Sequence, residues 1–253
     1  MRLIERIERD GAALFRWRSL VPLVLVPLWL VAADDGAHWD KLVGQRGEDI
    51  VTLLAFLVSL AGLAIRWVTV GFVPGGTSGR NTLEQRATYL NTTGMYSIVR
   101  NPLYLGNFVA LLGVALATKA WWFPIDFCLA YWLYIERVIA SEEKFLLTEF
   151  GDDYERWAAA TPIFVPRLKL WRAPALTFSL RTVLRREYNG LLAVASIFLV
   201  YELWTDVVIE REGVRQWLGT DWLWPAIFIF SAISFIALRT LKRHTKILRV
   251  DGR

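Results

Sequence analysis

Two histidines and one cysteine are all the imidazole and thiol ligands that 253 residues provide. Cys128 excludes an internal disulfide, and it lies within an apolar block where a thiol packs as a small hydrophobe. His38 falls in an expected outer loop and His244 in a basic tail, so no metal site is expected. No internal repeat is visible. The glycine-rich stretch Gly75-Gly76-Thr77-Ser78-Gly79 follows no strand and lacks the spacing of a dinucleotide fingerprint. It is read as a loop placed where it could cover a pocket. The first residues scatter charges among apolar positions and show no small-residue cleavage site, so no cleavable signal peptide is expected.

What is abundant is apolar surface. The chain is 55% hydrophobic and holds 13 tryptophans, against about 45–50% apolar residues in soluble domains. The apolar residues come in blocks, at about Leu20–Ala33, Ile50–Val70, Leu103–Thr118, Ala120–Ile135, Leu191–Val208 and Trp222–Leu238. This predicts an all-α, polytopic integral membrane protein with about six transmembrane helices and catalytic elements on the cytoplasmic side. Several blocks are shorter than the roughly 20 residues of a usual span; snorkelling Arg16, Arg18 and Arg66 would extend the first two.

With both termini inside, 24 of the 29 basic residues fall on the cytoplasmic side. That matches the positive-inside rule, and Trp121, Trp122, Trp217, Trp222 and Trp224 then stand near outer span ends. The expected location is a bacterial inner membrane with cytoplasmic N- and C-termini. The outer loops, Asp34–Asp49 and Ile209–Asp221, are short and acidic. The inner ones carry nearly all the candidate chemistry. The tail from Arg239 to Arg253 is a topology signal that also suits anionic lipid, and no nucleic-acid motif accompanies it.

The stretch Gly94 to Gly106 marks where a polar loop gives way to an apolar helix. Asn101 is expected to cap that helix through its side-chain oxygen. Pro102 suits the first helical position, where no N–H is needed. A helix start beside Arg100 and Tyr104 suits an anion such as a carboxylate or phosphate. A single helix over Leu103–Ile135 would be about 50 Å long, too much for one crossing. A hairpin turning at Lys119 is expected instead. It would set Asn101 opposite Arg137 and Tyr96 opposite Glu142, to within about one helical turn.

The residues Gly94-Met-Tyr-Ser-Ile-Val-Arg-Asn-Pro-Leu-Tyr-Leu-Gly106, followed by Glu142-Glu143-Lys-Phe-Leu-Leu-Thr-Glu-Phe-Gly151-Asp-Asp-Tyr154, resemble the isoprenylcysteine carboxyl methyltransferase and phospholipid methyltransferase superfamily. The likeness covers about Gly94–Pro166. It divides the chain into N-terminal helices (1–93), a methyltransferase core (94–172) and a two-helix extension with a basic tail (173–253). It implies S-adenosylmethionine as cofactor and a lipid or lipid-like methyl acceptor in the membrane. Carried over residue by residue, the cofactor-side positions are Tyr96, Arg100, Asn101, Pro102, Tyr104, Gly106 and Glu142. Arg137 and Glu143 stand beside them or toward the acceptor, as the catalytic candidates.

One departure matters: Asn101 stands where the family carries histidine. Asparagine hydrogen-bonds but does not shuttle a proton near neutral pH. An acceptor that is already an anion, a carboxylate or phosphate, needs no general base, so O-methylation is expected over phospholipid N-methylation. The side-chain chemistry agrees with the resemblance. Glu142 suits an ammonium, Arg100 and the helix start suit a carboxylate, and a tyrosine ring suits adenine or a sulfonium. An NADPH-dependent, sterol-reductase-like oxidoreductase shares a similar Arg-His-Pro-Asn-Tyr motif, but Leu103 takes the place of its asparagine. A non-enzymatic membrane protein that keeps the fold is the third reading.

Overall fold

The computed structural model describes residues 3–17, 20–37, 39, 44–74 and 88–253. Among these the regular structure is entirely helical. The chain opens with α1 (Leu3–Trp17), and a short 3-10 turn leads into α2 (Val26–Gly36). Next comes the long α3 (Gln45–Phe72), and then the one-turn α4 (Met95–Ile98). The hairpin follows as α5 (Pro102–Ala117) and α6 (Phe123–Phe150), with α7 (Asp152–Ala160) after it. The last part holds α8 (Leu180–Glu187), α9 (Gly190–Glu202), α10 (Val214–Thr220) and α11 (Leu223–His244). The end of α9 widens into a π-helical turn over Leu203–Ile209.

Among the described residues, three helices are long and apolar enough to cross a membrane: Arg46–Phe72, Gly190–Ile209 and Leu223–His244. The segments Arg9–Trp17 and Val21–Gly36, bent by 85°, make a fourth if taken as one span. The expectation of six spans is therefore not met by helix length and composition. The apolar helix α5 has 16 residues, about 24 Å at 1.5 Å per residue, against a hydrocarbon core of about 30 Å. The 28-residue α6 is long enough, but its second half carries Glu136, Arg137, Glu142, Glu143 and Lys144. The loop Gly75–Asn81 and His38 lie outside the described residues.

Small residues bring α3 and α5 together. The Ser59 hydroxyl donates to the Ala110 carbonyl at 2.7 Å. A Cβ on Gly113 would collide with Ser59 Oγ and the Ala55 carbonyl. Such contacts replace the hydrophobic drive that lipid tails cannot supply. Close to one end of this contact, Arg66 of α3 reaches the first turns of α5. On the other side of α3, Phe56 packs edge-on against Phe198 and Trp224, with ring centroids at 5.1 and 5.6 Å. That cluster binds α9 and α11 to the bundle. The turn between α5 and α6 contains Lys119 at φ 60°, and α6 ends at Gly151, at φ 50°, a conformation glycine adopts without a Cβ penalty.

Candidate active site

Asn101 does sit at the start of α5, and its backbone carbonyl accepts from the Leu105 N–H at 3.0 Å. Its side chain, however, does not cap the helix. The amide Nδ2 donates instead to the Ile163 carbonyl at 3.1 Å. The reason is the neighbouring segment 161–172, which lies across α4 and brings backbone acceptors within reach. Arg100 N–H donates to the Pro162 carbonyl at 2.8 Å, Arg167 N–H to Ile98 at 3.0 Å, and Gly94 N–H to Arg172 at 2.9 Å. The indole of Trp157 donates to the Tyr96 carbonyl at 3.0 Å. The motif backbone is thus clamped from outside, and the first-turn N–H groups of α5 receive no side-chain cap from Asn101.

Two acids of α6 meet this clamped turn. The Tyr104 hydroxyl donates to Glu142 Oε1 at 3.0 Å. Arg100 Nη1 donates to Glu143 Oε1 at 2.7 Å, while its Nε is buried without a partner. The buried Tyr154 hydroxyl lies beside the Arg100–Glu143 pair without a hydrogen bond of normal geometry. The Tyr131 hydroxyl donates to the Tyr104 carbonyl at 2.8 Å, fixing the hairpin from its inner face. The expected register set Tyr96 opposite Glu142; Tyr104 meets it instead, eight residues further along the chain. That is about two helical turns from the expected register, because the turn is centred beyond Lys119.

A cavity of about 480 Å³ opens between α3, α5, α6 and α9, within the usual range of about 300–1,000 Å³ for small-molecule sites. Tyr96, Arg100, Asn101, Pro102, Tyr104 and Glu142 line it. Gly106 does not; it faces Arg66 and Gly62 on α3. Glu143 is engaged behind the wall by Arg100. Arg137 is also away from the cavity: its backbone carbonyl packs on Gly11 of α1, and its guanidinium donates to the Leu133 carbonyl. The other lining residues were not singled out from the sequence. Arg66 donates to both Glu187 oxygens, at 2.8 and 3.0 Å, and to Asn107 at 2.7 Å. Beyond them an apolar wall runs along Ala110, Leu111 and Val114 of α5 and Ala193, Val194 and Ile197 of α9. The signal for Arg66 was a charge inside an apolar run, which reads equally well as snorkelling.

Burial sets the proton on the tyrosines. Burial, and then the nearby Glu142 carboxylate, push Tyr96 up to about 12. Burial and Glu143 raise Tyr154 in the same way. Both stay neutral phenols at physiological pH, able to donate and to offer an uncharged ring. The lining thus combines a carboxylate, Glu142, a guanidinium, Arg100, and the aromatic rings of Tyr96 and Tyr104 in one cavity, a set that suits a small molecule carrying both charges.

Far from this cavity, the carboxylate oxygens of Glu202, Asp206 and Asp221 lie within 4.8 Å of one another. A sequence reading based on histidine found no such group, because its members come from two helices and a turn.

Residues 53–153 match the family described as phospholipid methyltransferase. The chain is 32% identical over 159 residues to the nickel-cobalt-cadmium resistance protein NccN of Alcaligenes xylosoxydans xylosoxydans, covering 62% of this chain and 66% of that one. It is 34% identical over 77 residues to the protein-S-isoprenylcysteine O-methyltransferase of Schizosaccharomyces pombe, covering 30% and 33%. It is 28% identical over 175 residues to the methanethiol S-methyltransferase of Crocosphaera subtropica, covering 65% and 64%. The chain thus spans less than two thirds of the length of these relatives. No solved structure matches it. The family match falls on α3, α5 and α6, the helices that hold the clamped turn and its acids, and with these relatives it bears out the resemblance to the isoprenylcysteine carboxyl methyltransferase and phospholipid methyltransferase superfamily.

Proposed function

We propose that this protein is an integral membrane methyltransferase that uses S-adenosylmethionine to methylate an oxygen, carboxylate or phosphate, on a lipid or prenyl-type acceptor at the cytoplasmic face. The observation that carries the reading is the junction of two unlike walls in one cavity. Tyr104, Glu142 and Arg100 form a polar end that suits the amino-acid part of the cofactor. The wall of Leu111, Val114, Val194 and Ile197 suits a hydrocarbon chain.

When bound, the cofactor supplies a methyl group on a positively charged sulfur. The protein supplies placement. Tyr104 holds the Glu142 carboxylate in one orientation for the ammonium. Arg100, itself fixed by Glu143, lines the cavity and supplies positive charge for the carboxylate, and the uncapped start of α5 adds backbone donors. The neutral rings of Tyr96 and Tyr104 suit a cation. In-line displacement gains most of its rate from such orientation. Asn101, tied to Ile163, offers no proton acceptor, which favours an acceptor that is already an anion.

A second reading, methylation of a small thiol, is supported by the methanethiol relative. The long apolar wall favours a chain-bearing acceptor over a one-carbon thiol. The test is incubation of membranes carrying the protein with radiolabelled S-adenosylmethionine, followed by separation of labelled lipids. A labelled, alkali-labile lipid ester is expected. Label in volatile thioether alone would favour the second reading. Calorimetric binding of NADPH, with none of S-adenosylhomocysteine, would replace both with a reductase.

A further inference from the structure

We propose that Glu202, Asp206 and Asp221 form a binding site for a hard divalent cation, of the calcium or manganese class, at the end of the helix bundle opposite the methyltransferase cavity. Glu202 closes α9 and Asp206 lies one turn further on, where the backbone widens into the π-helical turn. Asp221 comes from the turn that separates α10 and α11. From Gly190 at the cavity to Glu202 the helix rises about 18 Å.

Three carboxylates whose oxygens lie within 4.8 Å of one another repel unless a cation or a proton stands among them. The ammonium of Lys119 pairs with Glu48 and lies over the Tyr201 ring, 5.3 Å from the centroid, and its charge also reaches Glu202 and Asp49. Asp49 adds another negative charge on the same side. Five acids, Glu48, Asp49, Glu202, Asp206 and Asp221, therefore share one lysine in this cluster. Asp206 accepts from Thr205 Oγ1 at 3.0 Å and from the Trp217 indole at 2.9 Å. Asp221 accepts from Thr220 Oγ1 at 2.7 Å.

Glu202 is different. Its side chain is 6% exposed, no hydrogen bond or ion pair reaches it among the described residues, and it still aims an oxygen into the group. A second buried group points the same way. The Tyr201 hydroxyl has no hydrogen-bond partner and lies within the field of Glu202, Glu48 and Asp206. A buried carboxylate in such a place needs a cation or a proton, and a metal ion bound by all three acids supplies the charge.

Ligand type narrows the ion. Oxygens on one calcium ion stand at most about 4.6–5.2 Å apart, twice a bond of 2.3–2.6 Å. The three carboxylate oxygens, within 4.8 Å of one another, fall inside that limit. An all-oxygen set disfavours the softer metals that prefer nitrogen and sulfur. A bound ion would join the end of α9 to the start of α11, fastening the two helices that extend beyond the family match.

The test uses full-length protein in detergent, stripped with a chelator and dialysed against manganese or calcium alone. Bound metal is counted by mass spectrometry. One equivalent per chain is expected, with affinity reduced at least tenfold in both Glu202→Gln and Asp221→Asn and kept in Glu142→Gln. If Glu202→Gln fails to fold, Asp221→Asn, on a turn, decides alone. Absence of uptake, or wild-type affinity in the variants that fold, overturns the proposal. So does an infrared band of a protonated carboxyl that persists in saturating manganese and vanishes in Glu202→Gln, since a proton would then occupy the cluster. Loss of S-adenosylhomocysteine binding in Glu142→Gln with metal retained would leave the two sites independent.

Discussion

Arg66 and Glu187 stand 121 residues apart in sequence and meet in a two-pronged ion pair at 2.8 and 3.0 Å. The pair fastens α3, within the family match, to α8, outside it. Glu187 is buried, and Asn107 of α5 accepts from the third Arg66 nitrogen, Nη1, at 2.7 Å. Removing one partner from such a pair strands a buried charge, at a cost of about 3–5 kcal/mol. Arg66→Leu should lower the unfolding midpoint in detergent steeply. The double change Arg66→Met with Glu187→Leu should recover much of the loss. Equal destabilisation in single and double variants would show that the pair is not the cause.

Tyr104 and Glu142 make the hydrogen bond on which the cofactor reading rests. Glu142→Ala and Arg100→Ala should each abolish S-adenosylhomocysteine binding, seen by calorimetry, with the midpoint of unfolding little changed. Tyr104→Phe removes one hydrogen bond to a charged group, about 1.5–3 kcal/mol, so binding should weaken by roughly 10- to 100-fold. Arg137→Ala should leave binding intact, because that side chain turns away from the cavity. Wild-type affinity in Glu142→Ala and Arg100→Ala together removes the assignment.

Asn101 is tied to the Ile163 carbonyl rather than to its own helix. Asn101→His keeps a ring N–H donor for that carbonyl and should fold and bind cofactor. Asn101→Leu loses the tie and should cost about 1 kcal/mol of stability. Proteolysis within the 161–172 segment reports the difference, faster in the leucine variant alone.

Alkaline titration gives a third kind of test. Tyr96 moves from 10.0 to about 12 on burial beside Glu142. A raised folded value means that the folded state holds the proton longer than the unfolded one. Its contribution to stability is complete below about pH 10 and is lost as the pH rises through about 12. Tyr96→Phe should flatten stability against pH across that window. Ultraviolet absorbance of tyrosinate should show one late-titrating group fewer.

Gly113 has no room for a side chain, because its Cβ direction points at Ser59 and the Ala55 carbonyl. Gly113→Val should destabilise by at least about 1–3 kcal/mol through overpacking. Gly219, whose Cβ would meet nothing within 4 Å, is the control. Thermal unfolding of both in detergent separates crowding from helix propensity.

Much of this arrangement follows from local chemistry. Apolar blocks, the Asn101-Pro102 start of α5, the turn near Lys119 and the facing of the Arg100 motif by the acids of α6 need only hydrophobicity, proline's fixed φ and the hairpin; the particular partner, Tyr104 rather than Tyr96 for Glu142, does not follow from them. Those forces act over a few residues or along one helix, so they are visible in a linear string. The side-chain partner of Asn101, the turn of Arg137 toward α1, the joining of Arg66 to Glu187 and the gathering of Glu202, Asp206 and Asp221 are different. Each depends on which helices the bundle sets side by side. A buried charge takes whatever partner packing brings to it, and only the tertiary structure decides which one that is.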